Sequence, residues 1–168
     1  MSKDTSSSER VRASFQQLST AATQLNAVSD ALGKSVTQLD EALKTLNLGV
    51  SAWVTIRLDH DPSGQDYSYE ELGYDKVGNK WGITIRTRDG DHTAPEEETV
   101  ERWLFSEAPR RLRIAAVEKV PELLEALTEQ AGETTEKIKN STAYVRDLAA
   151  AISVSTEKPK GKQLGGRQ

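Results

Sequence analysis

The stretch VRASFQQLSTAATQLNAVSDALGKSVTQLDEALKTL, residues 11–46, decides the fold, because its apolar residues recur at alternating spacings of four and three. The seam positions are Val11, Phe15, Leu18, Ala22, Leu25, Ser29, Leu32, Val36, Leu39, Leu43 and Leu46. A pattern held for about five heptads is typical of a helix that packs along its length on another helix. We place this helix at residues 8–48, after a flexible N-terminus at residues 1–7, and expect Gly49 to cap its C-terminal end.

A second stretch, in the C-terminal part of the chain, repeats the spacing. Its seam positions are Val117, Val120, Leu124, Leu127, Ala131, Thr134, Ile138, Ser141, Val145, Leu148 and Ile152. When the two seams are laid antiparallel so that paired residue numbers sum to 163, apolar positions meet apolar ones and Ser29 meets Thr134. The pattern predicts an antiparallel coiled-coil hairpin whose second helix covers residues 107–153, with a kink or break near Pro121. Residues 154–168 are expected to form a disordered tail. The alternative is that each helix packs separately in a globular bundle.

The apolar stripe of the first helix is wider than contact with one other helix requires. The positions that widen it include Ala21, Val28 and Ala42. A stripe widened to one side by small residues favours a four-helix arrangement, and one hairpin supplies only two helices. We therefore expect a homodimer joined through these three residues. The alternative is that the alanines merely favour helix formation.

Between residues 49 and 106 the hydrophobic period changes to two, which indicates β-strands. VSAWVTIRLD and KWGITIRTRD alternate clearly, and a weaker strand between them ends at the turn formed by Gly78 and Asn79. Residues 93–105 fit either a fourth strand or a short helix. The predicted fold class is α+β: a long antiparallel helical hairpin, the stalk, with an inserted antiparallel β-meander of three to four strands as its head.

Composition narrows the classes of function. The chain has no cysteine, which excludes thiolate metal sites and thiol nucleophiles. The head carries 12 acidic and six basic residues, a balance that argues against a nucleic-acid face there. No run approaches the roughly 20 apolar residues of a membrane span, and the N-terminus lacks the apolar segment of a signal peptide. A cytoplasmic protein is the simplest interpretation.

Two loops carry the chain's two histidines, in LDHD at residues 58–61 and RDGDH at residues 88–92. The first and third strands of a meander end at the same edge, so His60, His92 and two aspartates could converge on a divalent metal. Asp, Gly, Pro and His are also common at strand ends, and we predict ordinary turns and no metal. With no phosphate-binding glycine loop and no nucleophile elbow, we predict no cofactor and no catalytic residue.

The candidate partner-binding residues are Trp53, Arg57, Arg86, Arg110 and Arg111. Trp53 alternates with the apolar residues of its strand, so we expect it either to be an exposed anchor for a partner protein or to lie beneath the return segment. The expected function is a non-enzymatic scaffolding or adaptor protein whose stalk presents the head to a protein partner. The alternative function is a nucleic-acid-associated regulatory protein that uses the basic run at residues 110–113 and the basic tail. The arginines of that run could instead face the acidic head or solvent.

Overall fold

The computed structural model describes residues 3–156 and the side chains of residues 7–153. In chain order the elements are α1 (Lys3–Thr45), β1 (Ala52–His60), β2 (Asp66–Val77), β3 (Lys80–Asp91), β4 (Ala94–Leu104), a short 3-10 helix (Phe105–Glu107), α2 (Arg110–Val117) and α3 (Val120–Thr156). The chain is therefore α+β, with an antiparallel sheet between long helices. Helix α1 begins at Lys3, inside the N-terminus expected to be flexible, and α3 continues to Thr156. Residues 157–168 of the expected tail lie outside the described residues.

The four strands follow one another in the sheet in sequence order, and each is antiparallel to its neighbour. The return segment that the sequence left undecided is the strand β4, which pairs with β3 from Ala94 to Leu104. A bulge between Thr55 and Arg57 shifts the register of β1 against β2. Glutamates along β4 place charge on an open edge, which discourages pairing with another chain.

One face of the sheet, the inner face, packs against the helices. Its core consists of Leu72, Tyr74, Ile83 and Ile85 from the strands and of Val36, Leu43, Phe105, Leu112, Ala116, Leu123 and Leu127 from the helical segments. Helix α1 lies against β3, α2 against β2 and β3, and α3 against β1 and β2. The short helix α2 therefore occupies the inner face between α1 and α3.

The predicted coiled-coil hairpin is not seen within the chain. Every described residue of the α1 arm (residues 7–28) and of the α3 arm (residues 135–153) is exposed. Phe15 and Leu148, which were expected to share a layer, are 69% and 44% exposed. We attribute the separation of the helices to α2, which lies between them on the sheet. The seam of α3 also begins out of phase, because Leu123 is buried in the core where Leu124 was expected.

Helix α1 also closes an open edge of the sheet. Strand β4 ends at Leu104, opposite Thr84, so the backbone N–H of Ile83 faces no strand on that side. The carboxylate of Asp40 on α1 accepts this N–H at 2.8 Å. An unpaired backbone donor would cost about 1–3 kcal/mol, so this bond fixes where α1 meets the sheet. Helix α1 ends with Asn47 and Gly49 in left-handed conformations.

Candidate interaction surfaces

The outer face of the sheet, which is turned away from the helices, carries Trp53. Trp53 lies opposite Gly73 in the register, and a Cβ atom at Gly73 would overlap Cε3 and Cδ2 of the indole. The guanidinium carbon of Arg86 lies 3.8 Å from the centre of that ring, and the guanidinium carbon of Arg102 lies 5.2 Å from it. The indole is therefore held flat between the strand and two cations, and Trp53 is half-buried. One of these cations, Arg102, comes from the return segment.

Ion pairs continue from this stack across the outer face and form what we call the outer-face network. Glu71 accepts from Nε of Arg86 at 2.6 Å, and Nη1 of Arg88 lies 3.7 Å from the same carboxylate. Arg88 also binds Glu98 at 2.9 Å, and the hydroxyl of Tyr67 donates to Glu98 at 2.6 Å. The bonds from Arg88 and Tyr67 lower the pKa of Glu98 below its ordinary value, because they stabilise the carboxylate. The network thus favours the ionised form of Glu98.

The outer-face network neutralises its own charges. Arg102 at the other end pairs with Asp75 at 3.1 Å, so each of the three arginines has an acidic partner. The surface therefore presents flat aromatic and guanidinium planes without excess charge. Such a surface suits contact with another protein better than contact with a phosphate backbone, which requires uncompensated cations.

Sequence reasoning missed most of the outer-face network. Of its members only Trp53 and Arg86 were singled out; Glu71, Arg88 and Glu98 were not. The sequence feature that could have revealed the network is the charge of successive strands: acids in β2 and β4 flank bases in β3, and opposite charges on adjacent strands pair across a sheet. Using it requires the strand register, which the sequence left open for residues 93–105.

The five predicted partner-binding residues do not form one surface. Trp53 and Arg86 touch each other on the outer face. Arg57 follows the bulge in β1 and forms an ion pair with Asp59 at 2.7 Å. Arg110 and Arg111 belong to α2, which lies on the inner face.

The basic run at residues 110–113 serves intramolecular contacts. The bonds are Arg110 Nη2 to Asn26 Oδ1 at 2.7 Å, Arg111 Nη2 to Glu70 Oε1 at 2.6 Å and Arg113 Nη2 to Ser29 Oγ at 3.2 Å. Leu112, between them, is buried in the core. These arginines therefore attach α2 to α1 and to the sheet, and phosphate would have to compete with those acceptors.

The two histidine loops do meet at one edge of the sheet. The ring centres of His60 and His92 are 6.1 Å apart, and the ring of Tyr67 lies 4.7 Å from that of His92. Asp61 closes its own turn by accepting hydrogen bonds from Ser63 and from the backbone N–H groups of residues 65 and 66. These bonds, and the Ser63 bond most of all, lower the pKa of Asp61 to about 2. Among residues 3–156, no group of three or more His, Asp and Glu side chains is arranged to hold a metal ion.

The arms expose a continuous set of large apolar side chains. On the α1 arm these are Val11, Phe15, Leu18, Leu25 and Val28, and on the α3 arm they are Ile138, Tyr144, Val145, Leu148 and Ile152. Of the three predicted self-association residues, Ala21 and Val28 lie on the α1 arm and Ala42 lies nearer the sheet; all three are exposed. Ten of the 15 exposed large hydrophobic side chains among the described residues thus lie on the arms.

The chain matches no family model, no curated protein and no solved structure. None of the helices between residues 3 and 156 is long and apolar enough to cross a membrane. The outer-face network and the arms are the two surfaces of the described chain best suited to contact with another molecule.

Proposed function

We propose that the protein is a non-enzymatic scaffolding or adaptor protein that forms a homodimer through its arms and presents its β head to a protein partner. The observation that carries the proposal is the continuity of the apolar stripe of α1. The stripe is buried against the sheet at Val36 and Leu43 and continues, uncovered, along the α1 arm. A stripe with heptad spacing requires a helical partner, and the rest of the described chain supplies none for the arm.

The size of the uncovered surface suits a stable dimer. Burying one fully exposed large apolar side chain is worth about 1.5–3 kcal/mol. At about 25 cal/mol per Å², this energy corresponds to about 60–120 Å² removed from water. The ten apolar side chains of the arms are 44–69% exposed, so they would bury roughly 350–700 Å² per copy. Two copies together would bury about 700–1,400 Å² from these side chains alone, which reaches the lower part of the total of about 1,200–2,000 Å² that is usual for specific interfaces.

The charge pattern of the α1 arm favours the same conclusion. Residues 13–29 contain no charged side chain, although residues 13–28 are exposed on every face of the helix. Exposed helix surfaces normally carry acids and bases, while the centres of protein interfaces are depleted in charge. The composition of residues 13–28 is therefore that of an interface.

The head supplies the second part of the proposal. Trp53 and Arg86 belong to residue types that are enriched at the energetic centres of interfaces, and here they are already stacked and ordered. A side chain that is ordered before binding loses less conformational entropy on binding. The outer face around Trp53 is accordingly the surface that we assign to the protein partner.

Sedimentation equilibrium at tens of micromolar tests the homodimer. We expect the wild-type chain to sediment as a dimer and Leu18→Glu to sediment as a monomer, because the substitution would bury a charge in an apolar layer. Gln16→Glu adds the same charge about 160° around the helix from Leu18 and should remain a dimer. A monomeric wild-type chain, or equal effects of the two substitutions, would contradict the proposal.

A further inference from the structure

We infer that, in the homodimer proposed above, the α1 arm of each copy packs against the α3 arm of the other copy, in the register where residue numbers sum to 163. This inference rests on the proposed homodimer and adds which helices meet and at which residues. Its layers are Phe15 with Leu148, Leu18 with Val145, Ala22 with Ser141 and Leu25 with Ile138.

The two helices leave the head at matching positions. Among residues 7–153, Ser29 is the buried residue of α1 nearest its N-terminal end, and Thr134 is the partly buried residue of α3 nearest its C-terminal end. Their numbers sum to 163, the register in which the seams match. The arms therefore begin at the same layer, and the matching of apolar and small positions continues from there.

The directions of the helices place both arms at the same end of the head. Arg110 bonds to Asn26, and Arg113, three residues later in α2, bonds to Ser29, three residues later in α1. The two helices therefore run in the same direction. Only Glu118 and Lys119 separate α2 from α3, and α3 then packs on β1 and β2. To remain on the sheet after this short link, α3 must run back towards the end at which the α1 arm emerges.

Packing within one chain does not form these layers, because α2 lies between α1 and α3 at the base of the arms. Leu18 and Val145, members of one layer, are both exposed. If a two-fold axis parallel to the arms relates the two copies, equivalent residues of both copies lie at the same height along that axis. Each α1 arm then meets an α3 arm of the other copy in the same register, and the four arms form a bundle in which neighbouring helices are antiparallel.

Disulfide trapping between two single variants tests the pairing, since the chain has no cysteine of its own. Leu18→Cys chains carrying a short tag are mixed with untagged Val145→Cys chains, and the mixture is oxidised with diamide. We expect a covalent dimer of intermediate mobility on a non-reducing gel. As a control, Leu18→Cys is mixed with Ile138→Cys, which lies two turns, about 10 Å, from the matching height and beyond the reach of a disulfide. This mixture should yield little crosslinked dimer.

The same variants separate the inference from the proposal on which it rests. If sedimentation shows dimers but the Leu18 and Val145 pair crosslinks no better than the control pair, the arm pairing is wrong and the homodimer stands. If one chain carrying both substitutions closes a disulfide within itself, the arms pair within each copy and the inference is wrong. If the wild-type chain is a monomer, both statements fail.

Discussion

Replacing Gly73 with alanine tests the stack on the outer face. Gly73 does not have a positive φ, so alanine fits its backbone, but the new Cβ would overlap the ring of Trp53. Strand β2 is paired on both sides and cannot shift, so the indole must leave its place under Arg86. Forcing extra atoms into a packed site costs typically 1–3 kcal/mol, and loss of a partly exposed cation–π contact adds about 0.5–1 kcal/mol.

The sign of the effect should reverse when Trp53 is absent. Alanine at a compatible glycine position restricts the unfolded chain and stabilises a protein by about 0.4–1 kcal/mol. We therefore expect Gly73→Ala to destabilise the wild-type protein by about 1–2 kcal/mol, the overpacking cost less this gain. In the Trp53→Ala background, where the clash is removed, the same substitution should stabilise the protein.

Urea denaturation of the four proteins of this cycle measures the coupling. All four must be compared at one protein concentration, because the stability of a dimer depends on concentration. We expect a coupling free energy of about 1.5–3 kcal/mol between the two positions, within the range for residues in contact. If Gly73→Ala has the same effect in both backgrounds within about 0.5 kcal/mol, the stack is not the reason for glycine at this position.

Three further substitutions test the core, the sheet edge and a turn. Leu123→Ala should cost about 2–5 kcal/mol of unfolding free energy in urea denaturation, and Leu124→Ala much less, because these side chains are 1% and 37% exposed. The reverse order would mean that the opposite face of α3 packs in the core. Asp40→Ala should cost about 1–3 kcal/mol and speed hydrogen exchange at the Ile83 amide, whereas Asp40→Asn keeps an acceptor and should change that exchange rate less. The pKa of Asp61 falls from 3.8 to about 2 on folding, so its contribution to stability is present above the higher value and is lost as the pH falls through the lower one. Asp61→Asn should therefore weaken the dependence of stability on pH across that window in acid denaturation, and an unchanged profile would contradict the role of the turn.

Periodicity was enough to predict the type of most elements. The heptad spacing indicated long helices and the period of two indicated strands, and the structure is α+β as expected. Residues 93–105 could not be decided, because their local pattern suits a strand and a helix equally. They form β4 because the free edge of β3 offers hydrogen-bond partners, which is a tertiary cause that local sequence does not contain.

Helix α2 explains the main difference between the expected hairpin and the structure. A kink or break was expected near Pro121, but the apolar spacing around Val117 and Val120 continues across it, so both segments were expected to belong to one stalk. Pro121 cannot donate a backbone hydrogen bond and fits the first turn of α3. Once the chain turns before that proline, α2 is free to occupy the inner face between α1 and α3. Heptad counting assumes that consecutive seam residues share one helix axis, and here they do not.

The candidate site was harder to predict than the fold, because it depends on register. Trp53 was singled out for its alternation with apolar neighbours, but its partners Arg86 and Arg102 lie on other strands. The bulge between Thr55 and Arg57 offsets the pairing of β1 by one residue, and no feature of the sequence marks its position. The contacts of a sheet surface therefore follow from hydrogen-bonded pairing, which the sequence only partly determines.

The helical structure of the arms depends more than any other part of the molecule on packing against a second copy of the chain. The α1 arm is rich in serine and threonine, which are weaker helix formers than alanine, and Thr20 and Thr23 bond back to carbonyls of the preceding turn. Most of the stability of helices in proteins comes from packing of their apolar face, which the α1 arm lacks within one chain. The sheet and the parts of the helices that pack on it share one core, to which the arms contribute no residue, and this unit is the head of the folded chain. We therefore expect the arms to lose helicity when the dimer dissociates while the head stays folded.

Two optical signals separate these events. All three tryptophans, Trp53, Trp81 and Trp103, lie in the sheet, so their fluorescence reports on the head alone. Far-ultraviolet circular dichroism reports on the arms as well. Dilution through the dissociation range should reduce helicity per residue while the tryptophan emission stays unchanged. Leu18→Glu, which breaks the interface, should show the reduced helicity at every concentration. If helicity stays constant on dilution through that range, the arms are stable as isolated helices and their apolar stripe does not need a partner in order to fold.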